Sequence, residues 1–73
     1  MNTKIIQIRE NEEYITLGVL LKIGGVIQTG GMAKFFLTEN EVLINGEQDN
    51  RRGRKLYSGD VVEVLDYRFE ITK

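Results

Sequence analysis

The pattern of apolar and polar residues changes its period along this chain. After a β-rich run at Lys4–Ile8, expected to be an edge strand, and a charged connector, apolar residues recur at the i, i+3, i+4 spacing of one helical face. This spacing predicts a first helix over about Thr16–Ile23, which the Gly24-Gly25 pair ends. A second stripe trails the first by sixteen residues. It predicts a second helix with Thr29 as N-cap and Asn40 as a left-handed C-cap, so the two helices form a hairpin.

From Val42 onward the apolar positions alternate with period two, which is typical of strands. Val42 and Ile44 precede Asn45-Gly46, a strong turn dipeptide. Two more short strands follow a Ser58-Gly59-Asp60 turn, with apolar residues at Val62, Val64, Tyr67, Phe69 and Ile71. The order is strand, helix, helix and three short strands. It predicts an α+β fold in which a two-helix hairpin packs on a small, mainly antiparallel sheet of short strands.

The composition limits the chemistry that this chain can support. Its 73 residues predict a single domain over 1–73 with a small core. The chain has no Cys and no His, which excludes disulfides, Ser-His or Cys-His catalysis and most zinc or iron sites. Its carboxylates are expected on the solvated surface, so we expect no enzyme and no cofactor. No signal peptide or membrane span is evident, so we expect a cytoplasmic protein with no membrane partner.

Positive charge is concentrated in one segment of a chain whose formal net charge is -1. Four of the ten basic residues lie within five positions, at Arg51, Arg52, Arg54 and Lys55. Such a cluster creates a local positive potential that can collect phosphates, and Gly53 lets the backbone approach them. The alternative is a solvated hairpin connection. Mutual repulsion of four cations gives a structural loop no advantage, which favours the phosphate site.

A second candidate site lies at the start of the second helix. Free backbone N–H groups at Thr29-Gly30-Gly31 could bind an anion, and Lys34 lies one turn further on. A tight turn between the helices explains the same residues equally well. The aromatic residues also have two interpretations, because stacking on unpaired bases and packing in the core both use them. Phe36 fits the core stripe, whereas Tyr57 lies close to the basic cluster.

Taken together, these residues resemble the RNA-binding domain first seen in small-subunit ribosomal protein S4, often called the αL motif. The resemblance covers about residues 15–64 and extends, through Asn50–Lys55, to short stand-alone bacterial proteins of this family. It rests on Leu17, Leu21, Thr29, Ala33, Phe36-Leu37, Val42-x-Ile44-Asn45-Gly46 and Gly59-Asp60-x-Val62-x-Val64.

The resemblance implies which positions face RNA, namely the helix hairpin and the neighbouring loop. The family often opens its first helix with Arg-Leu-Asp and its second with Ser-Arg, where this chain has Thr16-Leu17-Gly18 and Thr29-Gly30. Two expected helix cations are therefore missing, which shifts the expected binding to the loop. The implied RNA-facing residues are Thr16, Gln28, Thr29, Gly30, Gly31, Lys34, Asn50, Arg51, Arg52, Arg54 and Lys55.

The function that the resemblance implies is binding of structured RNA, commonly ribosomal RNA. We therefore predict a monomeric, non-enzymatic protein whose partner is ribosomal RNA or a ribosomal subunit, with no small-molecule substrate. The process would be ribosome assembly, maturation or translation quality control. The alternative is a protein-interaction module that binds an acidic partner through the same loop, and an enzyme is a distant third possibility.

Overall fold

Two short helices pack on one face of a five-stranded sheet in the computed structural model, which describes residues 1–73. A 3-10 turn, Gly30–Met32, precedes the second helix. The helices are α1 (Leu17–Ile23) and α2 (Ala33–Glu39), and the strands are β1 (Asn2–Gln7), β2 (Ile15–Thr16), β3 (Val42–Ile44), β4 (Glu47–Gln48), β5 (Lys55–Leu56), β6 (Val61–Val64) and β7 (Tyr67–Thr72).

The strand order in the main sheet is β1-β7-β6-β3-β4, and β1 lies at an edge, as predicted. Only the β1–β7 pair is parallel, so the prediction of an α+β fold with a mainly antiparallel sheet is confirmed. β2 and β5 form a separate antiparallel ladder, with Thr16 opposite Lys55. The sequence did not predict β2, β4 or β5, because two residues carry no periodic signal.

Helix α1 begins and ends close to the predicted positions. The Thr16 hydroxyl accepts a hydrogen bond from the Val19 N–H at 3.4 Å, which caps the helix. The two glycines at its end have different roles. Gly25 has a φ of 80°, the left-handed conformation that favours glycine. Gly24 provides space instead, because a Cβ there would lie 2.7 Å from the Phe69 ring.

Both ends of α2 differ in detail from the prediction. Thr29 caps no α-helix, since its side chain makes no capping hydrogen bond and the 3-10 turn separates it from α2. Asn40 does follow the helix, but its φ is -132° and its backbone is extended rather than left-handed. Its amide donates to the Phe36 carbonyl at 3.0 Å. The extended conformation leads the chain directly into β3, so a left-handed cap is not needed.

The core forms where the apolar stripes of both helices meet one face of the sheet. No polar or charged side chain is buried there. Phe36 packs against this core but is only partly buried. The alternation predicted for the strands is confirmed, because Val62, Val64, Phe69 and Ile71 are buried while their neighbours Val61, Glu63, Arg68 and Glu70 remain half-exposed.

Asn45 connects two turns at one end of the sheet. Asn45 and Gly46 have φ values of 54° and 84°, as a tight hairpin turn between β3 and β4 requires. The Asn45 amide donates to Asp60 Oδ1 at 3.0 Å, and its oxygen accepts from the Val61 N–H at 2.9 Å. These two bonds hold the start of β6 against the hairpin.

Replacing Asn45 with glycine should lower the free energy of unfolding by about 1 kcal/mol, the usual contribution of a lost hydrogen bond. Glycine adopts a positive φ without strain, so the Asn45→Gly variant removes the side-chain bonds and leaves the turn conformation available. Urea unfolding followed by circular dichroism measures the change. An unchanged free energy of unfolding would show that the two bonds contribute nothing.

Candidate nucleic-acid interface

The basic loop, Asn50–Lys55, is anchored on the first turn of α1. The Leu17 N–H donates to the Arg54 carbonyl and the Gly18 N–H donates to the Arg52 carbonyl, both at 2.9 Å. These are first-turn donors that have no partner within a helix. The loop backbone is therefore held against α1 by main-chain hydrogen bonds.

Thr16, which was predicted to face RNA, has a structural role in this arrangement. Its hydroxyl caps α1, its side chain is half-buried, and its backbone lies in the ladder with Lys55. Its neighbour Gly18 lies where a Cβ would touch the Arg52 carbonyl at 3.4 Å and the Ala33 Cβ at 3.6 Å. The segment Thr16–Gly18 thus positions the loop beside both helices.

Asp49, directly before the basic loop, is the residue that sequence reasoning missed. Its side chain is only 10% exposed, although carboxylates were expected on the solvated surface. Oδ1 accepts from the Arg51 backbone N–H at 2.9 Å and from Arg51 Nε at 3.1 Å. Oδ2 accepts from Arg51 Nη2 at 2.7 Å and from Arg54 Nη1 at 3.0 Å. An aspartate two residues before an arginine in a turn-rich segment was the available signal.

The Asp49 carboxylate alters how the loop can bind phosphate. Hydrogen bonds from the Arg51 guanidinium hold the pKa of Asp49 well below its usual range, and they raise the pKa of Arg51. One side of the Arg51 guanidinium is therefore occupied, and one of the loop's four positive charges is offset. Arg51 is still 70% exposed and keeps donors for a ligand. Arg52 and Lys55 have no carboxylate partner and are exposed.

We expect a stability change with pH that depends on Asp49. Its pKa is lower in the folded state than the value of about 3.9 in an unfolded chain, so ionised Asp49 stabilises the fold above about pH 4. That stabilisation is lost as the pH falls from about 4 towards the folded pKa. The free energy of unfolding of the wild type should thus exceed that of Asp49→Asn by a constant amount between about pH 5 and 7. This difference should become smaller below about pH 4. Urea unfolding of both proteins across this pH range measures the difference. A difference at about pH 3 that equals the one at about pH 6 would contradict the stabilising role of ionised Asp49.

The basic loop divides its side chains between two surface depressions. The Tyr57 depression is lined by Arg51, Gly53, Arg54, Lys55, Tyr57 and Asp60. The Lys34 depression is lined by Lys34, Leu37, Thr38, Asn50 and Arg52. The fold therefore brings Lys34 of α2 together with the loop, although Asn50 lies sixteen positions later in the sequence. Lys34 and the basic loop, which together line both depressions, are called the basic ridge below.

The other predicted residues lie apart from this ridge. The segment Gln28–Gly31 is exposed, but it lines neither the Tyr57 depression nor the Lys34 depression. Gly31 instead lines an apolar depression with Met32 and Phe35. The structure thus brings Lys34 together with Asn50–Lys55, and Thr16 pairs with Lys55 at the end of the loop, whereas Gln28–Gly31 line neither depression.

No group of three or more Asp or Glu side chains is arranged to hold a metal ion. No helix has the length and the apolar character needed to cross a membrane.

A basic ridge anchored on the first helix of a small α+β fold defines a candidate nucleic-acid-binding domain. Residues 6–72 match the family model of the S4 domain, and this chain belongs to that family. A curated relative from Bacillus subtilis (strain 168), named "Probable ribosome maturation protein RlbA", is 71% identical over 52 residues, which cover 71% of this chain and 73% of the relative. The resemblance inferred from the sequence motifs is thereby confirmed.

Proposed function

We propose that this protein is a monomeric, non-catalytic RNA-binding protein that recognises structured ribosomal RNA during ribosome maturation in the cytoplasm. The observation that carries the proposal is the basic ridge, in which Lys34, Arg52 and Lys55 have no ion-pair partner and Arg51 and Arg54 are oriented by Asp49. Membership of the S4 family supports RNA as the ligand, and the relative's name supports ribosome maturation as the process.

The geometry favours recognition of RNA shape over recognition of a long sequence. The ridge spans two depressions, so phosphates of two neighbouring backbone segments can bind on either side of the basic loop. Few phosphates can be neutralised by five cations, so we expect moderate affinity and a shallow dependence on salt, with a slope of roughly -3 to -4 in log K against log salt. Additional contacts within a ribosomal particle would strengthen binding.

Co-sedimentation with purified bacterial ribosomal subunits tests the proposal. The protein should pellet with subunits or their precursors at low salt, and free ribosomal RNA in excess should release it. Failure to bind either the particles or the free RNA would refute the proposal. If the ligand were an acidic protein, excess RNA would not compete, and a protein partner would be retained on the immobilised chain.

A further inference from the structure

Tyr57 lies beside the basic loop with its backbone fixed and its side chain 46% exposed. Its N–H donates to Asp60 Oδ2 at 2.8 Å, and its carbonyl accepts from the Asp60 N–H at 3.0 Å. Asp60 is itself held by the Asn45 amide at 3.0 Å. The backbone that carries the Tyr57 ring is thus constrained on both sides, which lowers the entropy cost of presenting that ring to a ligand.

Tyr14 supports the Tyr57 ring from one side. The two ring centroids are 5.8 Å apart, and their planes are tilted by 52°. Lys55 places its Nζ 5.0 Å from the centre of the Tyr14 ring, a cation–π contact that occupies Tyr14 itself. Tyr57 is the more exposed of the two tyrosines, and it is the one that lines the Tyr57 depression.

The depression in front of Tyr57 has room for a planar group and donors for an anion. Its volume is about 540 Å³. A Cβ added at Gly53 would meet no atom within 4 Å, so the loop leaves open space at that position. Arg54, whose side chain is 31% exposed, and Lys55 line the same depression. An aromatic ring next to several cations matches a nucleotide, in which a flat base is joined to a phosphate.

We propose that Tyr57 is a stacking platform for one unpaired base, whose flanking phosphates bind Arg51, Arg54 and Lys55. The inference rests on the proposed function and refines it. The RNA that this protein recognises would carry a bulged or looped-out base next to a helix, because the bases of an uninterrupted duplex cannot reach the tyrosine ring. Asp60 also lines this depression, and its two oxygens are bound by the Asn45 amide and the Tyr57 N–H, so the phosphates would bind on the side of the arginines and Lys55.

Two short RNA probes test this inference. One is a duplex of about 12 base pairs, and the other is the same duplex with a single bulged adenine. At about 50 mM salt, fluorescence anisotropy should show that the wild type binds the bulged probe about tenfold more tightly, as expected for one base stacked on an aromatic ring. The Tyr57→Leu variant should bind both probes as the wild type binds the plain duplex.

The Tyr57→Trp variant is the matched control, because it keeps an aromatic surface and should retain the preference. The chain contains no Trp, so this variant also provides a single reporter whose emission the bulged probe should quench more than the plain duplex does. Circular dichroism shows whether Tyr57→Leu folds. If it does not, the difference between the two probes in quenching the Tyr57→Trp emission tests stacking by itself.

Three results would overturn the inference. Equal affinity of the wild type for both probes would leave RNA binding in place and refute stacking. A preference that persists in folded Tyr57→Leu would assign the bulged base to another residue. Binding of neither probe, with the fold intact, would contradict the proposed RNA-binding function and this inference together.

Discussion

Neutralising the basic loop should weaken binding to ribosomal RNA by at least about 100-fold while the domain stays folded. The variant replaces Arg51, Arg52, Arg54 and Lys55 with glutamine and Asp49 with asparagine. Asparagine is included because removal of both arginines alone would leave a nearly buried carboxylate without its partners. Four phosphate contacts are lost, and each contributes a large share of electrostatic affinity near physiological salt. Filter binding with purified ribosomal RNA measures the loss.

A matched control variant distinguishes the effect of the loop residues on RNA affinity from the effect of the protein's net charge. The loop variant loses four positive charges and one negative charge, a net change of -3. Replacing Arg9, Lys22 and Lys73 with glutamine also changes the net charge by -3, and these three exposed residues form no ion pair. The control should bind almost as tightly as the wild type. Equal weakening in both variants would show that RNA binding depends on overall charge and not on the loop.

Removing the carboxylate of Asp49 should weaken RNA binding, although the change makes the protein more positive. In Asp49→Ala we expect about tenfold lower affinity. Asp49 orients the Arg51 side chain through contacts of 3.1 Å and 2.7 Å and the Arg54 side chain through one of 3.0 Å. Without it, both side chains sample many rotamers, and ordering each one on binding costs about 0.5–1.5 kcal/mol. Affinity for ribosomal RNA and the free energy of unfolding should both be measured.

Glu47→Gln is the control for this prediction, because it also removes one negative charge near the loop. Glu47 is exposed and forms no ion pair, so its loss should leave RNA binding unchanged or slightly tighter. If Asp49→Ala also bound RNA as tightly as the wild type or more tightly, Asp49 would compete with the phosphates for the arginines and would not be a positioning residue.

The main features of the fold were predictable because they depend on local patterns. The spacing of Leu17, Leu20 and Leu21 placed α1, and these three residues are buried. Strict alternation placed β6 and β7, and the Asn45-Gly46 dipeptide placed the hairpin turn. In each case a short stretch of sequence contains the whole physical cause, whether an apolar stripe or a backbone angle.

The details that differed depend on contacts between distant segments. Thr29 has the side chain of a helix cap, but the chain forms a 3-10 turn at that point and the hydroxyl stays unused. Asn40 could adopt a left-handed conformation, yet the position of β3 selects an extended one. Nothing near β2 in the sequence indicates that it pairs with β5, since that pairing follows from the docking of the loop on α1.

The sequence predicted where positive charge is concentrated in the candidate site, but not how its side chains are arranged. The run Arg51–Lys55 is visible as a cluster in the sequence, and the fold adds Lys34 to it. The burial of Asp49 depends on how the loop folds back on itself, which neither composition nor periodicity encodes. Which of the predicted residues share a depression is also a tertiary result, since Lys34 joins the loop while Gly31 lines the apolar depression with Phe35.

Ultraviolet cross-linking to ribosomal RNA, followed by mass spectrometry of the linked peptides, tests the central claim most directly. The proposed interface predicts cross-links within residues 49–57, Tyr57 among them, and at Lys34. Phe35 provides an internal comparison, since it is 78% exposed and lines the apolar depression, but neither of the depressions of the basic loop. Cross-links confined to Phe35 or to the edge strand β1, with the basic loop unmodified, would contradict the proposed interface.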